Sequence, residues 1–319
     1  MNSSWDNSTF TWYSIDSAFE VTPILKFWLF LVFDVYAIIC TIFVLYHLLS
    51  ERQARNALHN HIPIILLFLA SAFEWIDIPF QLQYFHTGIV YPSTPILCLI
   101  WWFIDWGFYY IIAVLLVFAS FERHILIFHS HLVATRRKRL IFHYVPILII
   151  LLLMCTFYAV AIFAPICEST FAYDENLCGV HACYGTIPFF VTVEQLVFGA
   201  APICLIAIFS MTLLVRVIRQ KHRIHGAIQW KKQRKLAIQM ISLSLLYMAF
   251  SLPFTIIDLV RLYEQSDWGG EVLPLFFFLS YFTILLLPYV CLSNLPGLWK
   301  KLQICPTRQQ RVGAIVPHA

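Results

Sequence analysis

Apolar residues along this chain gather into seven runs of twenty or more, at about 24–49, 62–85, 96–121, 141–164, 187–218, 233–262 and 272–293, divided by short polar or basic stretches. A helix rises about 1.5 Å per residue and bilayer hydrocarbon is about 30 Å thick, so each run is long enough to cross a membrane. None shows the alternation of a barrel strand, and lipid offers no partner for a backbone N–H, so the pattern predicts helices. Prolines inside the runs, Pro79, Pro146, Pro202, Pro253 and Pro288, read as kinks. The expected fold class is an all-α membrane protein, a seven-transmembrane helix bundle over 24–295, preceded by an N-terminal segment 1–23 and followed by a tail 296–319.

Composition agrees with this pattern. Of 319 residues 61% are hydrophobic and 12% charged, against roughly 45–50% and 25% in soluble domains. The net charge of +4 does not point to nucleic acid, because the basic residues flank the spans and suit an anionic leaflet. All but Lys26 and Arg261 of the 21 Lys and Arg fall on one side. They include Arg52, Arg55, Arg123, the run Arg136–Arg139, a cluster at 216–235, and Lys300, Lys301, Arg308 and Arg311. That side is expected to be cytoplasmic, which places the N-terminus outside the cell at the plasma membrane. The sequons at Asn2 and Asn7 agree with that orientation. No basic segment leads into a short apolar core, so the first span is expected to direct its own insertion.

The cysteines fall into two groups. Cys40, Cys155, Cys204 and Cys291 lie in apolar runs and read as packing residues. Cys98, Cys167, Cys178 and Cys183 lie on the outer side, where two disulfides are expected. Four cysteines allow three pairings and spacing does not choose among them. The pairing expected here is Cys98 with Cys183, or with Cys178 in its place, and Cys167 with Cys178. Cys305 is a candidate palmitoylation site in the tail.

At the inner end of the third run the sequence reads Glu122-Arg123-His124, with Cys98 twenty-five residues before the arginine. Asn60 precedes Pro79 by nineteen residues, and Pro202, Pro253 and Pro288 fall in the fifth, sixth and seventh runs. Together these residues resemble the rhodopsin-like (class A) G-protein-coupled receptors. The resemblance implies that Glu122, Arg123 and His124 couple to a heterotrimeric G protein and that 296–304 forms a short amphipathic eighth helix. It also implies that Asp105 sits where amine receptors hold a ligand's ammonium group. The chain departs from the family pattern at Ala70, where an acid is usual, and at Ser251, in place of tryptophan. Leu287 and Cys291 replace the asparagine and tyrosine of the seventh helix, and Ser210 replaces the tyrosine of the fifth. A retinal-binding opsin needs a lysine amine in the seventh span, and this span has none.

Ionisable residues within membrane spans are costly and are functional candidates by default. Asp34, Glu74, Asp77, Asp105, Glu194 and Asp258 all fall on the outer half of their spans, and Glu74 and Asp77, at i and i+3, are expected to share a face. Asp105 precedes Arg123 by eighteen residues, or about 27 Å of helix. With Gln81, Trp101, Trp102 and Tyr109 these acids are expected to line a pocket for a small cationic or peptide ligand, a monoamine or a basic peptide. The alternative is that they are bonded within the bundle and only shape it. Glu122 is expected to pair with Arg123 at rest, and the absence of any acid in 216–235 predicts a weak resting lock and appreciable basal activity.

Two further classes compete with a receptor. A transporter or channel with an acidic outer vestibule would use the same acids, but neither inner acids nor an inverted repeat extends the path. A membrane enzyme would need a site, and the interfacial histidines, His59, His61, His124, His129, His131, His222 and His225, read as solvated surface. No cofactor, metal or catalytic residue is expected.

Overall fold

The structure, a computed structural model, describes residues 21–165, 167–179, 182–221, 227–264 and 268–293. The sequons at Asn2 and Asn7, His222, His225, Cys305 and the eighth-helix segment 296–304 lie outside the described residues.

Among the described residues seven helices are long and apolar enough to cross a membrane: α1 (Pro23–Ser50), α2 (Leu58–Thr87), α3 (Pro95–Phe128), α4 (Arg136–Phe163), α5 (Pro188–Arg219), α6 (Ala237–Tyr263) and α7 (Leu273–Ser293). The chain is a multi-pass membrane protein. α3 packs against α2, α4, α5 and α6 and forms the axis of the bundle, while α1 packs on α2 and α7. α1, α3, α5 and α7 all begin at the end that carries the disulfides, and each has a proline in its first turn: Pro23, Pro95, Pro188 and Pro274. Proline costs nothing there, because the first N–H groups of a helix have no partner within it. α2 stops at that end on Gly88, whose φ of 72° lets its N–H turn back to the Tyr84 carbonyl at 2.8 Å.

Among the described residues four stretches widen from α- to π-helical turns: Phe73–Asp77 in α2, Phe103–Phe108 in α3, Leu140–Tyr144 in α4 and Val193–Ala200 in α5. Three stand just before Pro79, Pro146 and Pro202. Proline has no N–H to offer the carbonyl four residues back and its ring crowds that carbonyl, and a wider turn relieves both problems. The N–H groups of Ile78, Val145 and Ala201 accordingly reach back five residues, to Phe73, Leu140 and Leu196. The stretch in α3 has no proline but contains Gly107. A Cβ there would lie 3.4 Å from Tyr158 Cβ, so α3 and α4 meet at close range. α6 continues as a helix through Pro253, and α7 is interrupted at Tyr281 and Leu286, just before Pro288.

Lipid tails are as apolar as the core side chains, so the helices are held by close packing and by polar links more than by exclusion from water. Phe30 of α1 stacks on Phe278 of α7 at 4.6 Å between ring centroids, and Tyr110 of α3 lies parallel to Tyr158 of α4 at 6.2 Å. Polar links include Tyr109 to Ser251 (2.8 Å), joining α3 to α6, and Ser210 to Ser244 (2.7 Å), joining α5 to α6. Such links contribute about 0.6–2 kcal/mol each in a membrane.

Candidate functional site

The connection between α4 and α5 folds over the disulfide end as a lid. Cys178 bonds to Cys98 at the start of α3, and Cys167 bonds to Cys183 (Cα separations 5.9 and 5.8 Å). The expected Cys98–Cys183 and Cys167–Cys178 pairing is thereby corrected to the alternative partner. The reason is local. Leu177, Cys178 and Gly179 take left-handed backbone angles (φ 53°, 54° and 99°), and the Trp102 indole N–H donates to the Leu177 carbonyl at 2.5 Å. This turn presses Cys178 onto α3, while Cys183 stays beside the start of α5, near the chain leaving α4. Left-handed residues with side chains cost roughly 1–2 kcal/mol each, and the bridge and the indole bond hold them in place.

Under the lid is a cavity of about 100 Å³. Glu175 and Asn176 of the lid, Lys26 of α1, Gln81 of α2 and Asp258 of α6 bring polar groups to it. Trp106, Phe254, Phe277 and Tyr281 form its floor and also roof a second space of about 10 Å³, lined by Asp105 and Tyr109. A volume of about 10–15 Å³ holds roughly one water. Asp105 therefore lies one layer beneath the larger cavity.

Glu74, Asp77, Asp105 and Glu194 are tied into the bundle by neutral donors, and Asp77 and Asp105 also bond to each other. Gln81 Nε2 donates to the Tyr281 hydroxyl at 2.9 Å, which in turn donates to Asp105 at 2.5 Å, linking α2, α7 and α3. Trp101 Nε1 donates to Asp77, and Thr41 donates to Glu74 at 2.6 Å. Tyr158 and Tyr184 both donate to Glu194, at 2.9 and 3.0 Å. Tyr184 lies in the lid, where burial and then the nearby Glu194 hold its phenol well above the usual range, so it serves as a donor. Glu74 and Asp77 do not share a face, because the wide turn between them directs one toward α1 and the other toward α3. Of the expected ligand-binding residues, Gln81 and Asp258 line the larger cavity and Asp105 and Tyr109 line the smaller. Glu74, Asp77, Trp101, Trp102 and Glu194 line neither cavity. Asp34 is buried on α1.

At the opposite, arginine-rich end, Glu122, Arg123 and His124 are all buried and point to different neighbours. Glu122 bonds to His143 Nδ1 on α4, Arg123 donates to the His59 carbonyl on α2 at 2.9 Å, and His124 bonds to the Phe209 carbonyl on α5 at 2.9 Å. Among the described residues no ion pair joins Glu122 to Arg123. Successive residues on a helix do not face each other, and each side chain takes the partner its own direction offers.

The family model for the seven-transmembrane receptor (rhodopsin family) matches residues 41–290. The chain belongs to this family. No curated protein matches it by sequence. The positions at which this receptor departs from the family pattern are buried and, where polar, bonded. Ser251 accepts from Tyr109 and lies 3.3 Å from Thr283, so a hydroxyl chain joins α3, α6 and α7 where tryptophan is usual. Ser210 bonds across to Ser244 of the receptor, and Ala70, Leu287 and Cys291 are packed in its core. Tyr281, Tyr158, Tyr184 and His143 bond the acids at the two ends of the receptor and were not singled out by the sequence. His61 and His124, read there as surface, are bonded to neighbouring helices. Tyrosines and histidines have no fixed spacing from the acids they bond, so only a histidine recurring near Glu122 in an otherwise apolar run could have pointed to His143. Among the described residues no group of three or more His, Cys, Asp or Glu is arranged to hold a metal.

Proposed function

We propose that this receptor stands in the plasma membrane with its disulfide end outside. In this reading it takes a ligand bearing a cationic group into the cavity under the lid and passes the signal to a heterotrimeric G protein at its arginine-rich end. The observation that carries the reading is the cavity itself, which sets the carboxyl groups of Asp258 and Glu175 beside the rings of Phe254, Phe277 and Phe278. Carboxylates supply charge and ring faces add cation–π attraction. Asp105, bonded by Tyr281 beneath the floor, acts through that tyrosine. A ligand that binds the signalling arrangement more tightly shifts the population toward it by that differential affinity.

The test is a signalling assay in cells, screened with amines, basic peptides and zwitterionic peptides, on the parent, Asp258→Asn, Asp105→Asn and Arg123→Ala. Asp258→Asn is expected to weaken a cationic agonist about tenfold or more, roughly 1.4 kcal/mol, and Asp105→Asn to weaken it less. Arg123→Ala is expected to abolish the G-protein response while ligand binding survives. Equal potency on the parent and Asp258→Asn would remove that carboxylate from the ligand site. Ligand-driven current with no G-protein signal would replace the receptor mechanism with transport.

A further inference from the structure

Three contacts run in a line from the axis of the bundle to its surface at the arginine-rich end. Glu122 of α3 bonds to His143 Nδ1 of α4, His143 Nε2 lies 2.9 Å from His61 Nδ1 of α2, and His61 Nε2 lies 3.0 Å from the Arg55 carbonyl. Glu122 is 2% exposed and His143 fully buried, and His61 at the outer end of the line is partly exposed.

The hydrogens in this line can be counted. A carbonyl only accepts, so His61 Nε2 must carry a hydrogen, and each of the other two contacts needs one as well. Three contacts require three hydrogens, whereas an ionised carboxylate and two neutral imidazoles bring two. We infer that the Glu122–His143–His61 line holds one additional proton, and that His143 and His61 are positioning residues which use it to tether α2, α3 and α4 and to keep Glu122 away from Arg123. With that proton the line is electrically neutral as a whole, which suits a site largely closed to water. Without it one contact has no hydrogen.

The surroundings fit this count. Arg123 is the nearest cation on α3, and its guanidinium is engaged by the His59 carbonyl of α2. The Arg55 guanidinium is turned to the Leu49 carbonyl at 3.2 Å. Tyr144 of α4 lies with its ring 5.6 Å from His61 and 4.7 Å from His143, and Cys291 of α7 lies near Arg123. On α1 the nearby charges, His47 and Glu51, bond to each other at 3.2 Å. None of these groups supplies the missing hydrogen to the line.

The consequence is a resting state that depends on pH at the arginine-rich end. Above the ordinary imidazole value of about 6.5 the unfolded histidines are mostly neutral, so there the folded line holds a proton that its residues release when unfolded; below it the two unfolded histidines together bind more than the one proton of the line, and the sign reverses. Stability from the tether is therefore greatest near about pH 6.5 and is lost as pH rises above it. The experiment needs neither ligand nor G protein, so its failure would leave the proposed function untouched. Thermal unfolding of the full chain in lipid nanodiscs is followed at about pH 6.5 and about pH 8.5 for the parent, His61→Phe and His61→Asn. His61→Asn keeps a donor but binds no proton. Both variants are expected to melt several degrees below the parent at the lower pH and to lose most of that difference at the higher pH. A difference that stays constant with pH makes the histidines simple packing residues and overturns the inference. If His61→Phe does not fold, His61→Asn alone decides between these outcomes.

Discussion

Tyr281 is the residue on which the network at the disulfide end depends, since its hydroxyl accepts from Gln81 and donates to Asp105. Tyr281→Phe keeps the ring in the cavity floor but removes the hydroxyl from Asp105, which keeps Asp77 as a partner, and leaves the buried Gln81 amide N–H groups without one. The expected loss is about 1–3 kcal/mol, read as a lowered Tm of the full chain, with a shift in basal signalling because Asp105 is released from α7. The sequence identified Asp105 by the cost of an acid in lipid. It did not identify Tyr281, because a tyrosine in an apolar span carries no such cost and so no such signal. The same holds for Tyr158 and Glu194: the acid stands out in the sequence and its donor does not.

For whole helices, the spans could be read because a crossing needs only length and apolar content. The ends could be read less well. α3 continues to Phe128, past the expected end near 121, because Glu122, Arg123 and His124 find partners on neighbouring helices and the backbone has no reason to leave the helix there. Gly88 shows the opposite case, a stop set by one backbone angle. A Cβ at that position would meet nothing within 4 Å, so Gly88→Ala should cost only the left-handed conformation, about 1 kcal/mol. A Tm little changed from the parent would mean that α2 can end in another way. The widened turns were hidden from the sequence. The reading of Glu74 and Asp77 as one face assumed ordinary helical phase, and the prolines that follow the turns signalled kinks without saying how they would be absorbed.

Over the whole molecule, the lid joins what the seven crossings leave separate. The Cys98–Cys178 bridge closes a loop of 80 residues that contains most of α3 and all of α4, and the Cys167–Cys183 bridge closes one of 16. Cys178→Ser is expected to cost about 2–4 kcal/mol and to release Glu175 and Asn176 from the cavity. It should therefore lower ligand affinity as well as Tm, whereas Cys167→Ser should affect Tm more than affinity. Binding measured on surface-expressed receptor separates the two, and equal losses of affinity would mean that the lid moves as one piece.

A widened turn accommodates one residue more than the regular path between the same two levels of a helix. Beyond each such turn, toward the disulfide end of α2 and α3, every side chain is rotated by about one residue's angle from where an uninterrupted helix would carry it. Relatives without the extra residue would align to this chain only with a single-position gap inside 73–77 or 103–108. Ungapped counting from Arg123 transfers ligand-contacting roles to side chains that face a different neighbour, and Asp105, carried by such a count to an ammonium site, lies instead under the floor of the cavity. In this chain a single insertion or deletion in those two stretches would exchange the residues presented to a ligand while leaving the arginine-rich half in register.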